Sequence, residues 1–298
     1  MSQNFEQAKS RLANVRAIHP LLTALRTMSM GAWQIAKKRI AYLIEYEENY
    51  DRILNQVLPA ITEKHLKKQN IAGPSPSTAE IIFLVIGSER GLCGKFNTTM
   101  AEKALSFIKQ GACVSYQIWV MGSRLMREFE RMGVHISWRM ALPASGLTTY
   151  QQAHALTQNW LEQFESYAFN QFIVLHNQVA LGGSHQFTSY NLLPYEIQHG
   201  LERNDKGSEQ WPPAIIETDA KGIYNQIIQH FIASSFYQVL LRSAAAEHSA
   251  RYSLMQEASE NAEEIIEELV RVVNAERKRR ITQEMQELAV SSGLLDHN

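Results

Sequence analysis

Residues 223–292 read IYNQIIQHFIASSFYQVLLRSAAAEHSARYSLMQEASENAEEIIEELVRVVNAERKRRITQEMQELAVSS and hold neither glycine nor proline. Within them Ile227, Ser234, Leu241, His248, Met255, Ala262 and Leu269 recur every seven residues. A second row runs through Phe231, Tyr237, Ala245, Tyr252, Ile266 and Val273. Sustained heptads of apolar and small residues predict a helix that pairs with another along a narrow seam, a coiled coil. The N-terminal stretch from Phe5 to Ile61 carries a matching register: Ala8, Val15, Leu22, Ser29, Ala36, Leu43, Tyr50 and Val57 are seven apart. Its other seam is Leu12, Ile18, Leu25, Trp33, Ile40, Tyr46, Leu54 and Ile61, with shifts of one residue. Leu25, Leu43, Leu241, His248, Met255 and Leu269 serve as markers of the seam. Pro20 interrupts the first arm, and an interior proline costs about 3 kcal/mol. A bend there is expected, or a helix that becomes regular only after it.

Length decides how such arms are used. At ~1.5 Å per residue they would run roughly 85 and 105 Å. A globule of this chain length would be only ~50 Å across. Two helices of that length cannot fold away inside it, so they are expected to pair antiparallel with each other as a stalk. Glycine and proline concentrate between Gly73 and Gly222, which sets three segments: an N-terminal coiled-coil helix (1–70), a central α/β domain (71–213) and a C-terminal coiled-coil helix (214–298).

The central segment reads β-α-β-α-β-α-β-β. Glu80 to Gly87 (EIIFLVIG) is a near-continuous apolar run, the mark of a strand buried on both faces. A helix is expected over Phe96–Lys109, a strand over Cys113–Met121, a short helix over Arg124–Arg131 and a strand over Val134–Trp138. A helix over Leu147–Phe169, a buried strand over Gln171–Val179 and an alternating edge strand over Gln186–Leu193 complete it. Leu201–Pro213 is a polar surface loop. Strands alternating with helices imply a small, mostly parallel sheet. The fold class is thus mixed, α/β with α+β character: a long antiparallel coiled coil of the terminal helices plus a Rossmann-like α/β domain.

Composition narrows the function. The 298 residues carry 29 Lys+Arg against 30 Asp+Glu, a net charge of −1 that argues against coating nucleic acid or an anionic membrane. Two cysteines, Cys93 and Cys113, cannot build a disulfide framework and point to a reducing compartment. No apolar run approaches the roughly 20 residues of a membrane span, and Met1–Arg11 lacks the apolar stretch of a secretory signal. The stretch Gly87-Ser-Glu-Arg-Gly-Leu-Cys-Gly-Lys95 sits where a phosphate loop would, after a strand and before a helix. The spacing is wrong for GxxxxGK[ST], and Phe96 stands where the magnesium-binding hydroxyl is needed. It reads as a structural turn built on Gly91, Cys93 and Gly94. Cys93 has no local base and reads as an inert small hydrophobe. The histidines show no metal-ligand spacing, and His248 on the apolar row reads as a packed residue. No catalytic group, metal or cofactor is assigned. The last arm is polarised: Glu257–Glu268 holds six glutamates and no base, and Arg271–Arg280 holds five bases against Glu276. Usually such runs are solvated faces; near the end of a rod this one could also meet an acidic protein surface.

Glu247-His-Ser-Ala-Arg251, Met255, Ala258, Asn261-Ala262, Leu269, Asn274, Arg277 and Ile281-Thr-Gln-Glu284 resemble the C-terminal signature of the gamma subunit of F-type, proton-translocating ATP synthases. Phe231–Ala245 fits the same family. Ile86-Gly-Ser-Glu-Arg-Gly-Leu-Cys-Gly-Lys-Phe-Asn97 is similar to the family's turn after its first strand, and Arg11, Val15 and Met28-Ser-Met30 agree more weakly. The resemblance implies a non-catalytic central-stalk rotor, coupling proton flow through the membrane c-ring to ATP synthesis or hydrolysis in the alpha/beta hexamer. It implies alpha, beta and epsilon subunits and the c-ring as partners, and a peripheral place on the cytoplasmic face of the bacterial plasma membrane. Neither nucleic acid nor direct membrane insertion belongs to it. By the same resemblance Arg277 and Lys278 contact the beta subunit, although the family commonly has glutamine at the second position. Other departures are Met30–Ile35, with Trp33 where small residues are usual, Ile228 for a common proline, Ala233 for a customary glutamate, and the tail Leu294–Asn298. Two alternatives stand beside the rotor: a gamma-like paralogue that interacts or regulates without rotary coupling, and an enzyme using the α/β head.

Overall fold

The computed structural model describes residues 2–57, 80–111, 115–145, 147–166, 168–180, 185–195 and 219–292. In chain order the elements are α1 (Ser2–Val57), β1 (Glu80–Ile86), α2 (Phe96–Gln110), β2 (Ser115–Met121), α3 (Ser123–Arg131), β3 (Trp138–Met140), α4 (Tyr150–Glu165), β4 (Gln171–Val179), β5 (His185–Leu193) and α5 (Ala220–Ser291). This is the order of strands and helices that the sequence implies. Ile61, Cys113, the loop at 201–213 and the tail at 294–298 lie outside the described residues.

Two elements differ from expectation. The third strand is Trp138–Met140 rather than Val134–Trp138. Gly133 takes φ +70 in the turn that follows α3, and the chain is not extended until it pairs Trp138 with Trp119. The helix expected over Leu147–Phe169 begins only at Tyr150. Thr149 caps it, with its hydroxyl accepting from Gln152 N–H and the Gln152 side chain returning a bond to Thr149 N–H. That reciprocal box fixes the start of the helix whatever the periodicity upstream. The first arm also does not wait for Pro20, since α1 is helical on both sides of it. Pro20 is exposed, and so is Arg16, whose carbonyl loses a donor, so water can replace the missing bond.

The chain divides into two compact units, residues 30–250 and residues 1–29 with 251–298. In the larger unit the sheet has the order β3-β2-β1-β4-β5, parallel throughout except for the antiparallel β4–β5 pair. Alternate residues of β1 serve two cores, as a two-sided strand must. Phe83 and Val85 join Met100, Ala104, Leu125 and Phe129 of α2 and α3 on one face. Ile82, Leu84 and Ile86 join Trp160 of α4 and Phe236 and Leu240 of α5 on the other. Here α5 is a layer of the domain. Its other side meets α1 antiparallel: Glu47 accepts from Ser234 Oγ (2.8 Å) and Gln238 Nε2 (3.1 Å). Leu54 and Val57 pack with Tyr224, Ile227 and Phe231.

In the smaller unit the same two helices again run antiparallel. As the α1 partner advances from His19 through Thr23 to Arg26, the α5 partner recedes from Glu263 through Ser259 to Gln256, at 3.0, 3.5 and 2.8 Å. The heptad row of α5 is buried at every position from Ile227 to Leu269, Ser234 and His248 included. The α1 seam is less regular, since Ile18 and Tyr46 are exposed. Phe236 is fully enclosed between Trp160 and the sheet. Phe236→Ala should therefore destabilise the larger unit by ~3–5 kcal/mol, read as a lower denaturation midpoint with unchanged slope.

Candidate functional site

The turn after β1 closes on itself. Asn97 is its centre: Oδ1 accepts from Ser88 N–H (2.9 Å), while Nδ2 donates to Ser88 Oγ (2.8 Å) and reaches Cys93 Sγ (3.6 Å). Ser88 Oγ donates in turn to the Arg90 carbonyl (2.8 Å). Leu92 and Gly94 both take positive φ, 64 and 60. Gly91 does not, and a methyl group there would only touch the Arg124 guanidinium. Of the two glycines singled out in the sequence, the conformational demand falls on Gly94. Gly87 and Gly122 matter for another reason. A Cβ at Gly87 would lie 2.4 Å from Leu125 Cβ, and one at Gly122 would lie 2.8 Å from the Ser88 carbonyl oxygen.

Glu89 ties this turn to its neighbours. Its carboxylate accepts from Ser123 Oγ (2.6 Å), Ser123 N–H (3.0 Å) and Leu142 N–H (2.8 Å), at the first turn of α3 and the segment after β3. Burial pushes its pKa up, but these three bonds outweigh burial and hold it below the ordinary carboxylate value.

In a sheet of this order a ligand would enter outside the carboxyl ends of the strands, where the order reverses between β1 and β4. That position is occupied by the chain itself. Cys93 and Phe96 from the turn pack with Ala246 of α5, with Val179 at the end of β4 and Ala250 alongside. The run Ser243-Ala-Ala-Ala246 is small enough to let α5 seat there, and all four residues are buried. Cys93 is a buried free thiol. His248 is buried one turn-face away, and its Nε2–H donates to the Ser145 carbonyl (2.9 Å), a packing role with a specific partner. Leu241, Met255 and Leu269 are buried on the same row, whereas Leu25 and Leu43 are half-buried.

The basic cluster lies elsewhere. Arg277, Lys278, Arg279 and Arg280 are all exposed on α5, with Arg280 paired to Glu284 (3.0 Å). Ile281, Met285, Leu288 and Val290 beyond them are exposed too, Met285 and Leu288 to 66% and 67%. Among the described residues no helix is long and apolar enough to cross a membrane, and no group of three or more His, Cys, Asp or Glu side chains is placed to hold a metal ion.

The family model for ATP synthase matches residues 4–293. The chain belongs to the ATP synthase family. Its relatives include an ATP synthase gamma chain of Rubrobacter xylanophilus, 26% identical over 292 residues, covering 96% of this chain and 97% of that one. A gamma chain of Nautilia profundicola is 24% identical over 289 residues, with 96% and 97% covered. Among solved structures, a chain of the Euglena gracilis mitochondrial ATP synthase (OSCP, F1 and c-ring, rotational state 3) shares the fold with a TM-score of 0.61 at 13% identity, over 99% of this chain and 95% of that chain. A chain from the Tetrahymena thermophila mitochondrial central stalk and c-ring gives a TM-score of 0.55 at 15% identity, over 80% and 99%. The chain is thus similar along its whole length to the gamma chains of the family.

The sequence singled out the turn but not what holds it. Glu89 is held by Ser123 and Leu142, more than thirty positions away, and Asn97 by Ser88, nine positions back. One signal was present, a polar residue one position after Phe96 at the buried start of a helix.

A second buried titratable group makes this unit pH-sensitive. His176 on β4 is 1% exposed, and its Nδ1–H donates to the Asn177 carbonyl (3.1 Å). Burial, helped by the positive charge of Arg242 and opposed by that bond, pushes its pKa down to about 4. The unfolded chain takes up the proton near pH ~6.5. Stability is therefore whole above that pH and declines as pH falls towards 4, by on the order of 3 kcal/mol from this group. Chemical denaturation from pH 7 to 4 should show the decline, and His176→Gln should flatten the part between pH 6.5 and 4.

Proposed function

We propose that this chain is the central-stalk rotor of a proton-translocating ATP synthase, coupling proton flow through the c-ring to ATP synthesis or hydrolysis in the alpha/beta hexamer. The observation that carries the reading is the antiparallel pair of terminal helices joined to an α/β domain whose ligand crevice is filled by α5 itself. A chain built this way transmits motion rather than binding a small substrate, so its role in the complex is non-catalytic. Residues 1–70 and 214–298 supply the shaft and residues 71–213 the head. Alpha and beta subunits surround the shaft, epsilon and the c-ring meet the lower part, and the whole is held peripherally at the cytoplasmic face of a bacterial plasma membrane.

Arg277 and Lys278 are the residues proposed to meet the beta subunits. They are exposed, and successive residues on a helix point roughly 100° apart, so the cluster presents charge all round the rod. Arg280 already has Glu284 as a partner, an exposed pair worth at most ~1 kcal/mol. A charge-assisted bond from an arginine enclosed by a partner is worth ~1.5–3 kcal/mol. Arg277→Ala should slow ATP hydrolysis, or loosen its coupling to proton pumping, by about tenfold to a hundredfold. Arg280→Ala should stay within twofold of wild type. Hydrolysis and pumping by purified complexes carrying each substitution decide the matter; two wild-type rates for Arg277→Ala in intact complexes would remove this contact.

A further inference from the structure

Where α1, α4 and α5 come together in the larger unit, five ring side chains gather, two of them histidines. Tyr150 and His154 stand one turn apart on α4, His230 on α5, and Tyr46 and Tyr50 on α1. The ring centroids of His154 and His230 lie 5.9 Å apart, with their planes inclined by 41°. Tyr150 Oη lies 3.2 Å from His230 Nδ1, and the Tyr150 ring is 5.9 Å from that of His154. Tyr50 stands 5.6 Å from His230 and 4.6 Å from Tyr46. Both histidines are half-buried, so they are held in place yet reachable from solvent.

We propose that His154 and His230 form a two-imidazole site for a divalent transition-metal ion, Zn2+ being the probe of choice, which clips α4 to α5. Imidazole nitrogen is the ligand type that suits Zn2+, Cu2+ and Ni2+. With Zn–N bonds of ~2.0–2.1 Å, two imidazoles at a tetrahedral angle have centroids about 5 Å apart. The observed separation exceeds that by less than ~1 Å, within reach of small side-chain rotations. Tyr150 completes the arrangement. When His230 donates Nδ1–H to the Tyr150 oxygen, its Nε2 lone pair is left for the metal, which is how ligating histidines are ordinarily oriented. Water fills the remaining positions. The site is therefore open and weaker than a four-ligand structural zinc centre. It is independent of the rotor reading, because it needs only the folded larger unit.

The test is a Zn2+ titration of the full-length chain by calorimetry, with circular dichroism to verify folding. One ion per chain is expected for wild type, with affinity at least tenfold lower in His154→Ala and in His230→Ala. His135→Ala, which removes an exposed histidine outside the cluster, should bind as wild type. Tyr150→Phe should keep both ligands but weaken binding severalfold, an effect that a role in packing alone would not produce. Should either alanine variant fail to fold, the glutamine variant at the same position, His154→Gln or His230→Gln, replaces it with a side chain of similar reach. Absence of one-to-one binding by wild type overturns the proposal, and so does wild-type affinity in both histidine variants.

Discussion

Everything in the larger unit depends on one helix segment being buried nearly all round. From Ile227 to Ala250, α5 gives Phe236 and Leu240 to the sheet, Ser234 and Gln238 to Glu47 of α1, and Ala246 to the turn after β1. A helix that is apolar on most faces cannot stand in water and must be enclosed. Enclosure on three sides requires neighbours of three kinds, and the domain supplies a sheet face, a second helix and a loop. Beyond Arg251 the helix changes character: Met255, Ala262 and Leu269 keep one buried row while the glutamates between them are exposed. The same helix is thus a core element in one unit and half of a two-helix pair in the other.

Polar groups hold the register that apolar packing alone would leave loose. Methyl groups slide past one another at little cost, whereas a carboxylate with two fixed donors does not. Glu47 does this between α1 and α5, Arg26 with Gln256 does it in the smaller unit, and Glu89 does it between the β1 turn and α3. Each would leave a partly buried charge or amide unsatisfied if its partner moved by one turn, a penalty of about 1–3 kcal/mol.

Much of this architecture is legible in the sequence because it is periodic. The heptad row of α5 is buried position by position, and the apolar run at Glu80–Gly87 is the central strand. Periodicity fails where local chemistry takes over. The Thr149–Gln152 box starts α4 later than its apolar pattern does, and the turn at Gly133 delays β3. It also fails where a contact joins distant positions. Glu89 with Leu142, and His154 with His230, are pairs that no spacing along the chain announces, because the sheet order and the seat of α5 bring them together. Ile18 and Tyr46 satisfy the seam pattern and yet are exposed, since a shifting register leaves some matching positions facing outward.

The enclosure of Cys93 has a consequence for watching this molecule move. Cys93 packs with Ala246 and Phe96, and its sulfur lies within reach of Ser88 and Asn97, so a thiol reagent reaches it only when the packing between the turn and α5 opens. Labelling at that sulfur then proceeds at the pace of the opening, not at the pace of the reagent. The thiol is a built-in clock for how firmly the helix is held against the turn.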